Sequence, residues 1–362
     1  MVQKKRQRLN LVIDPRFSGG TSSAVAREIY ALAPLCDLSV TAISSRLFKG
    51  TDAHPSILRA CEDMQVPVVW DPSMVSSDLV ALHNPSFLKF DEHLGTNIVC
   101  DRLFVVCHEN FIGPDGPEGF DVGHCLSLIS GQTLSRKKFL SPVSHWNRQC
   151  TEKWLAAHPS NWELAPEDWT NICDFEFLPP TALPKDRRGR HSRPGAEKFP
   201  PREDLERMFP PGCERVRMLG ADGLLDSETP PHWELLNFGT EQVDDFLQSI
   251  DFFIYFTHPF WQESFGRVIA EAIAAGKLVI TSPAIAATFS DALVTAVPDD
   301  VDTIVQNFIA DPKQYAAQVR RSQAALSEFG APAFLRRFEK LIKTTRSKPY
   351  PSQPMETLYD FL

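Results

Sequence analysis

The stretch from Ser249 to Pro283, SIDFFIYFTHPFWQESFGRVIAEAIAAGKLVITSP, constrains the fold more than any other part of the chain. A short apolar run, Phe252 to Phe256, precedes a polar turn, an amphipathic helix and a second apolar run, Leu278 to Ile280. Buried strands of that length alternating with a helix predict a βαβ unit of a parallel sheet. The turn carries Glu263, Ser264, Phe265, Gly266 and Arg267, and Glu271 follows inside the helix. Gly266 lets the backbone approach a ligand closely, and the helix start offers free N–H groups and partial positive charge, a setting for phosphate. Glu271, a little over one turn further in, is placed to accept hydrogen bonds from hydroxyls of a group attached to that phosphate.

Glu263-x7-Glu271 around Ser264-Phe265-Gly266, with the strands on either side, resembles the signature of GT-B-fold retaining glycosyltransferases of the "group 1" family. The resemblance implies an α/β chain of two Rossmann-like domains facing across a cleft, with a C-terminal helix crossing back to the first domain. It also implies that Glu263 sits beside the donor sugar, that Glu271 binds the nucleotide's ribose and that the amides between them meet the diphosphate. The expected division is 1–180 for the acceptor side, 181–332 for the nucleotide sugar and 333–362 for the returning helix and tail.

At 362 residues the chain exceeds one ordinary domain, and its 43% hydrophobic and 23% charged content is that of a globular protein with ample core. A net charge of -9 argues against general nucleic-acid binding. No apolar run approaches the roughly 20 residues that span a bilayer, so a cytoplasmic location is expected. Lys4, Lys5, Arg6 and Arg8 admit peripheral contact with the inner face of a membrane. Eight scattered cysteines without a C-x-x-C pair predict buried free thiols rather than disulfides or a zinc site.

The first strand, Leu9 to Asp14, runs into a Gly-rich turn and a helical pattern from Ser22 to Leu35, the opening of a nucleotide-type domain without a full G-x-G-x-x-G. By resemblance, Gly19, Gly20 and Thr21 face the cleft near donor and acceptor. Further strands are expected at Asp37 to Ile43, Val66 to Trp70, Leu79 to Leu82, Leu103 to Cys107 and Lys138 to Val143. Ligands bind beyond the carboxyl ends of such strands, where His83 and His108 project, and His108 resembles the family's histidine near the donor sugar. Phe111 to Phe120 reads as an acceptor-side lid, and Ser144 as a helix N-cap. Trp146, Trp154, Trp162 and Trp169 are expected mainly in the interior.

Phe175 to Pro184, a short strand with Pro-Pro, marks the boundary between domains. Lys185, Arg187, Arg188, Arg190, Arg193 and Lys198 follow as a cationic patch suited to phosphate. Gly189-Arg190 resembles the family's Gly-Arg, which implies that Arg190 grips the diphosphate, with Arg193 or Lys198 as the second cation. Asp299-Asp300-Val301-Asp302 contains D-x-D, a metal-ligand pattern elsewhere, but directly before a helix it reads as N-terminal capping.

These implications add up to transfer of a sugar from a nucleotide-diphosphate donor to a hydroxyl acceptor, with retention and without metal or other cofactor. Glu263, His108, Arg190 and Lys198 are the expected catalytic set. The donor-binding set is Gly19, Gly20, Thr21, Arg190, Arg193, Lys198 and Glu263 to Arg267 with Glu271. The donor base and the acceptor (saccharide, lipid-linked glycan, protein or small molecule) stay open, as does monomer or homo-oligomer. The competing expectations are a non-catalytic GT-B-like partner subunit and a nucleotide-sugar epimerase of the same fold.

Overall fold

The computed structural model describes residues 6–17, 19–114, 116–224 and 229–345. Lys4, Lys5 and the irregular tail expected from Ser347 to Pro354 lie outside them. Two parallel sheets form the frame. The first contains β1 (Arg8–Ile13), β2 (Asp37–Ala42), β3 (Val68–Trp70), β4 (Met74–His83), β5 (Asn97–Cys107), β6 (Thr133–Pro142) and β7 (Glu163–Leu164), in the order β3-β2-β1-β4-β5-β6-β7. Its helices are α1 (Gly20–Leu32), α2 (Pro55–Asp63), α3 (Val122–Gly131) and α4 (His145–Ala157).

The second sheet runs β10-β9-β8-β11-β12-β13, from β8 (Arg187–His191), β9 (Arg215–Leu219), β10 (Trp233–Leu236), β11 (Phe252–Tyr255), β12 (Leu278–Thr281) and β13 (Val294–Thr295). With it go α5 (Arg202–Met208), α6 (Val243–Gln248), α7 (Arg267–Ala274), α8 (Pro283–Ala286), α9 (Val301–Ala310) and α10 (Pro312–Leu326). Both strand orders reverse direction beside the first strand of the domain, which opens a crevice at the carboxyl ends of the sheet.

The βαβ unit read from the sequence is β11-α7-β12, with β11 and β12 parallel from Phe252↔Leu278 to Tyr255↔Thr281. Ile269 and Ile273, one turn apart on α7, are fully buried against the sheet, each contributing about 1.5–3 kcal/mol by burial. After α10, α11 (Ala331–Thr344) returns to the first domain. Phe334 and Phe338 meet the Trp169 ring edge-on, and Arg102 on β5 donates to the carbonyl of Ile342 at 2.8 Å.

The differences from expectation have physical reasons. β4, β5 and β6 begin several residues early, because their polar first halves are carried by the parallel ladder rather than by apolar burial. No strand forms between Phe175 and Pro184. That segment is pinned instead to the second domain, where Leu178 N–H donates to the carbonyl of Ala274 and Gln323 donates to that of Leu178. All eight cysteines are free and seven are buried. No helix among the described residues is long and apolar enough to cross a membrane.

Candidate functional site

The Gly266–Arg267 junction begins α7 where the two domains touch. Gly266 has φ 89 and ψ 51, the left-handed region that glycine enters without a Cβ penalty. The helix it opens has no side-chain cap and no acid in its first turn. Its first residue is instead a cation, Arg267, placed where the helix dipole already favours negative charge. Across the interface α1 starts the same way after Gly19, again with no side-chain cap and no acid in the first turn. A Cβ on Gly20 would lie 4.0 Å from Cδ of Arg267. Two helix N-termini, one from each domain, therefore converge.

The second domain's turn is tied to the first domain by backbone-directed bonds. Asn110, just after β5, donates to the carbonyl of Gln262 at 2.9 Å, and the Ser144 hydroxyl donates to the carbonyl of Ser264. Ser144 also caps α4 by accepting from the Asn147 N–H, as expected. The guanidinium of Arg267 lies 5.2 Å from the centre of the Phe175 ring.

Glu263 is the hub of the site. Lys198 Nζ and the Tyr255 hydroxyl both lie 2.6 Å from its Oε1, and the same ammonium sits 4.6 Å from the centre of the Trp261 ring. Burial acts to raise the Glu263 pKa, but the Lys198 ammonium and the donated hydrogen bonds outweigh it, so the carboxyl titrates below its ordinary range. Glu271 forms a second cluster, with Arg267 Nε at 3.0 Å and His191 Nε2 at 3.6 Å. Burial raises Glu271, against the opposing pull of Arg267, and lowers His191 to about 3.

Arg190 departs from its expected place. Its side chain is fully buried, donates to the carbonyls of Phe256 and Lys198, and stacks 4.2 Å from the Phe199 centroid. Desolvation lowers its pKa to about 10. It holds the backbone that presents Lys198, and no part of it is exposed to meet a diphosphate. Gly189 fits because a Cβ there would lie 2.9 Å from the carbonyl oxygen of Arg217.

The cationic patch is also corrected. Arg187 pairs with Asp251, Arg188 with Asp186 and Asp302, Lys185 with Glu214, and Arg193 reaches outward to Glu197 at 3.9 Å. Alternation along a central strand, not a surface, distributes these charges. Of the D-x-D acids, Asp302 pairs with Arg188 from the first turn of α9 and Asp300 makes no capping bond, while the neighbouring Asp299 pairs with Arg207.

His108 follows β5, partly exposed, with Nε2 3.1 Å from Nδ1 of His83. Thr21 is buried in the first turn of α1. Beside the turn a cavity of about 280 Å³ opens between the domains, lined by Pro114 and Trp146 from one and by Phe256, His258, Trp261 and Ala284 from the other. Trp154, Trp162 and Trp169 are interior. A larger hollow of about 430 Å³, among Arg8, Cys36 and Gln65, lies at the opposite end of the first sheet, where the strands begin.

Tyr255, Trp261 and His191 escaped the sequence reading, whereas Asn110 belongs to the polar His108-Glu109-Asn110 end of β5 that the sequence already places beyond the strand. Tyr255 closes the β11 run and Trp261 sits two residues before Glu263, so an aromatic flanking the first acid was the available signal. His191 gave none.

The fold and this junction define a class, the GT-B architecture of glycosyltransferase structures. HepE from Anabaena in complex with UDP shares it at 14% identity and TM-score 0.63, over 93% of this chain and 100% of that one. A glycosyltransferase from Rickettsia africae is similar at 13% identity and TM-score 0.60, over 94% and 100%. A UDP-forming trehalose-phosphate synthase from Burkholderia xenovorans is similar at 11% identity and TM-score 0.58, with the same coverages. No family model and no curated protein matches the sequence.

Proposed function

We propose that the chain is a retaining glycosyltransferase that moves a sugar from a nucleoside diphosphate, with UDP the first choice, onto a hydroxyl acceptor. The observation that carries this is the convergence of two glycine-led helix N-termini on Arg267 at the domain interface. Two positive dipole ends meet there beside a guanidinium whose one carboxylate neighbour among the described residues is Glu271, a setting that favours a further anion between the helices. A solved structure of HepE in complex with UDP-glucose supports UDP as the donor base. The similarity to a trehalose-6-phosphate synthase described for glycosyltransfer with retention supports the stereochemical outcome.

Each group then has a task. Departure of the nucleotide places negative charge on the diphosphate, and the helix amides with Lys198 and Arg267 meet it. Fixed donors of that kind are each worth about 3–4 kcal/mol of barrier when removed singly. Glu263, kept ionised by Lys198, orients the sugar, and Glu271 accepts from the ribose hydroxyls. With positive charge supplied by side chains and amides, the chemistry is metal-independent. The acceptor occupies the cavity beside Trp146 and Trp261, where aromatic faces suit a saccharide.

Calorimetric titration with UDP and GDP, followed by acceptor-free hydrolysis of UDP-glucose in EDTA with the anomer read by NMR, tests the reading. Binding and an α-anomeric product from the α-linked donor are expected. No heat with either nucleotide would leave a non-catalytic partner subunit, and interconversion of the free nucleotide sugar would mark an epimerase.

A further inference from the structure

Behind His108 a line of polar groups runs into the core of the first domain. His108 Nε2 lies 3.1 Å from His83 Nδ1, and His83 Nε2 lies 3.3 Å from Glu28 Oε2. The three residues come from separate elements: α1, the end of β4 and the loop after β5. Glu28 and His83 are fully buried. Beyond His83, the group that reaches the Glu28 carboxyl in the described residues is the Trp169 indole N–H. A buried carboxyl so poorly paired is costly, and an apolar side chain at that place would pack more cheaply. The two histidine-bearing loops are clamped together. Asn84, held at φ 56, donates to Glu109 at 3.3 Å, and the Ser86 hydroxyl donates to the same oxygen at 2.7 Å.

We propose that Glu28 and His83 form a positioning relay that sets the tautomer of His108, so that His108 Nδ1 presents a proton to a sugar hydroxyl in the cleft. The ligand class rests on the nucleotide-sugar reading above. With Glu28 protonated, its O–H donates to His83 Nε2, His83 Nδ1–H donates to His108 Nε2, and His108 keeps its proton on Nδ1. With Glu28 ionised every link reverses. His83 Nε2–H donates to the carboxylate, His108 Nε2–H donates to His83 Nδ1, and Nδ1 becomes an acceptor. The one proton lost departs from Nδ1, the only nitrogen of the pair without a partner in the described residues that belongs to a partly exposed ring.

Burial pushes Glu28 up to about 8 and lowers His108 to about 3, with His83 held well below its ordinary value. At neutral pH the first arrangement therefore prevails. Facing Glu28 are His83 and the Trp169 indole, and behind that ring stand Phe334 and Phe338 of α11. Besides Glu28, His83 faces the titratable ring of His108 and, edge-on, the Trp169 indole.

The test uses the full chain labelled with ¹⁵N-histidine, His108 being assigned through His108→Gln. Two-bond ¹H–¹⁵N spectra should show the Nδ1–H form at neutral pH, crossing to Nε2–H as Glu28 ionises near about 8. Glu28→Gln should hold the Nδ1–H form through the alkaline range, and Glu28→Leu should give a mixture. In turnover of UDP-glucose, wild-type kcat should fall about tenfold across the crossover, the worth of one hydrogen bond, and that of Glu28→Gln should not. A His108 tautomer that is unchanged in Glu28→Leu, or a wild-type crossover retained in Glu28→Gln, overturns the relay. The second criterion stands alone should Glu28→Leu not fold. A separate titration with UDP keeps the two ideas apart, because absent binding sinks the nucleotide-sugar reading while the spectra still decide the relay.

Discussion

Lys198 Nζ and Glu263 Oε1 meet at 2.6 Å although 65 residues separate them, and the contact joins the loop after β8 to the turn before α7. The ammonium keeps Glu263 ionised inside a largely buried site. Glu263→Gln preserves an acceptor for Tyr255 but removes the charge. We expect kcat with UDP-glucose to drop about a hundredfold or more, with UDP affinity by calorimetry changed only slightly. A near-wild-type kcat would take Glu263 out of the chemistry.

Glu271 tells against a purely structural reading of α7, because its carboxyl is partly open to the cleft while Arg267 holds it from one side. Glu271→Ala should weaken UDP binding about tenfold, one to two hydrogen bonds to ribose. Deoxyribose analogues of UDP should lose the difference between wild type and variant. Equal affinity for UDP in both proteins would refute the ribose role.

The fold was legible because buried parallel strands carry continuous apolar runs, and β11, β12 and the second half of β5 are such runs. The turn from Glu263 to Glu271 was legible because glycine, helix start and acids are local in sequence. The fate of Arg187, Arg188 and Arg190 was not. A linear run of cations does not reveal that strand alternation sends Arg187 to Asp251, 64 residues away, and Arg188 to Asp302, 114 away. Nor does any spacing announce that Glu28, His83 and His108 line up, since that depends on which strands the sheet makes adjacent.

Arg190 is where sequence resemblance and structure part. Its guanidinium lies between Phe199 and Tyr255 and donates to two backbone carbonyls. Arg190→Met keeps the bulk and leaves both carbonyls unpaired, so we expect a loss of about 2–4 kcal/mol in urea unfolding. Activity should fall through displacement of Lys198, with Lys198→Met adding little further loss. Full stability with a large kcat defect would restore direct phosphate contact for Arg190.

Acid should unfold this protein through its histidines. His191 is buried and lowered to about 3 by desolvation and by Arg190. The folded state thus refuses a proton that the unfolded chain takes up below the ordinary value of 6.5. More protons in the unfolded state means that stability falls as pH falls, by about 1.4 kcal/mol per pH unit for each such group. His83 and His108 act in the same direction, whereas Glu28, raised by burial, acts in the opposite one. Comparing wild type with His191→Phe isolates a single proton. Between neutral pH and about pH 5 the variant should lose about 2 kcal/mol less in urea unfolding than wild type does. Parallel losses would mean that His191 titrates in the folded protein as it does in water, and that its side of the Glu271 cluster is open rather than buried.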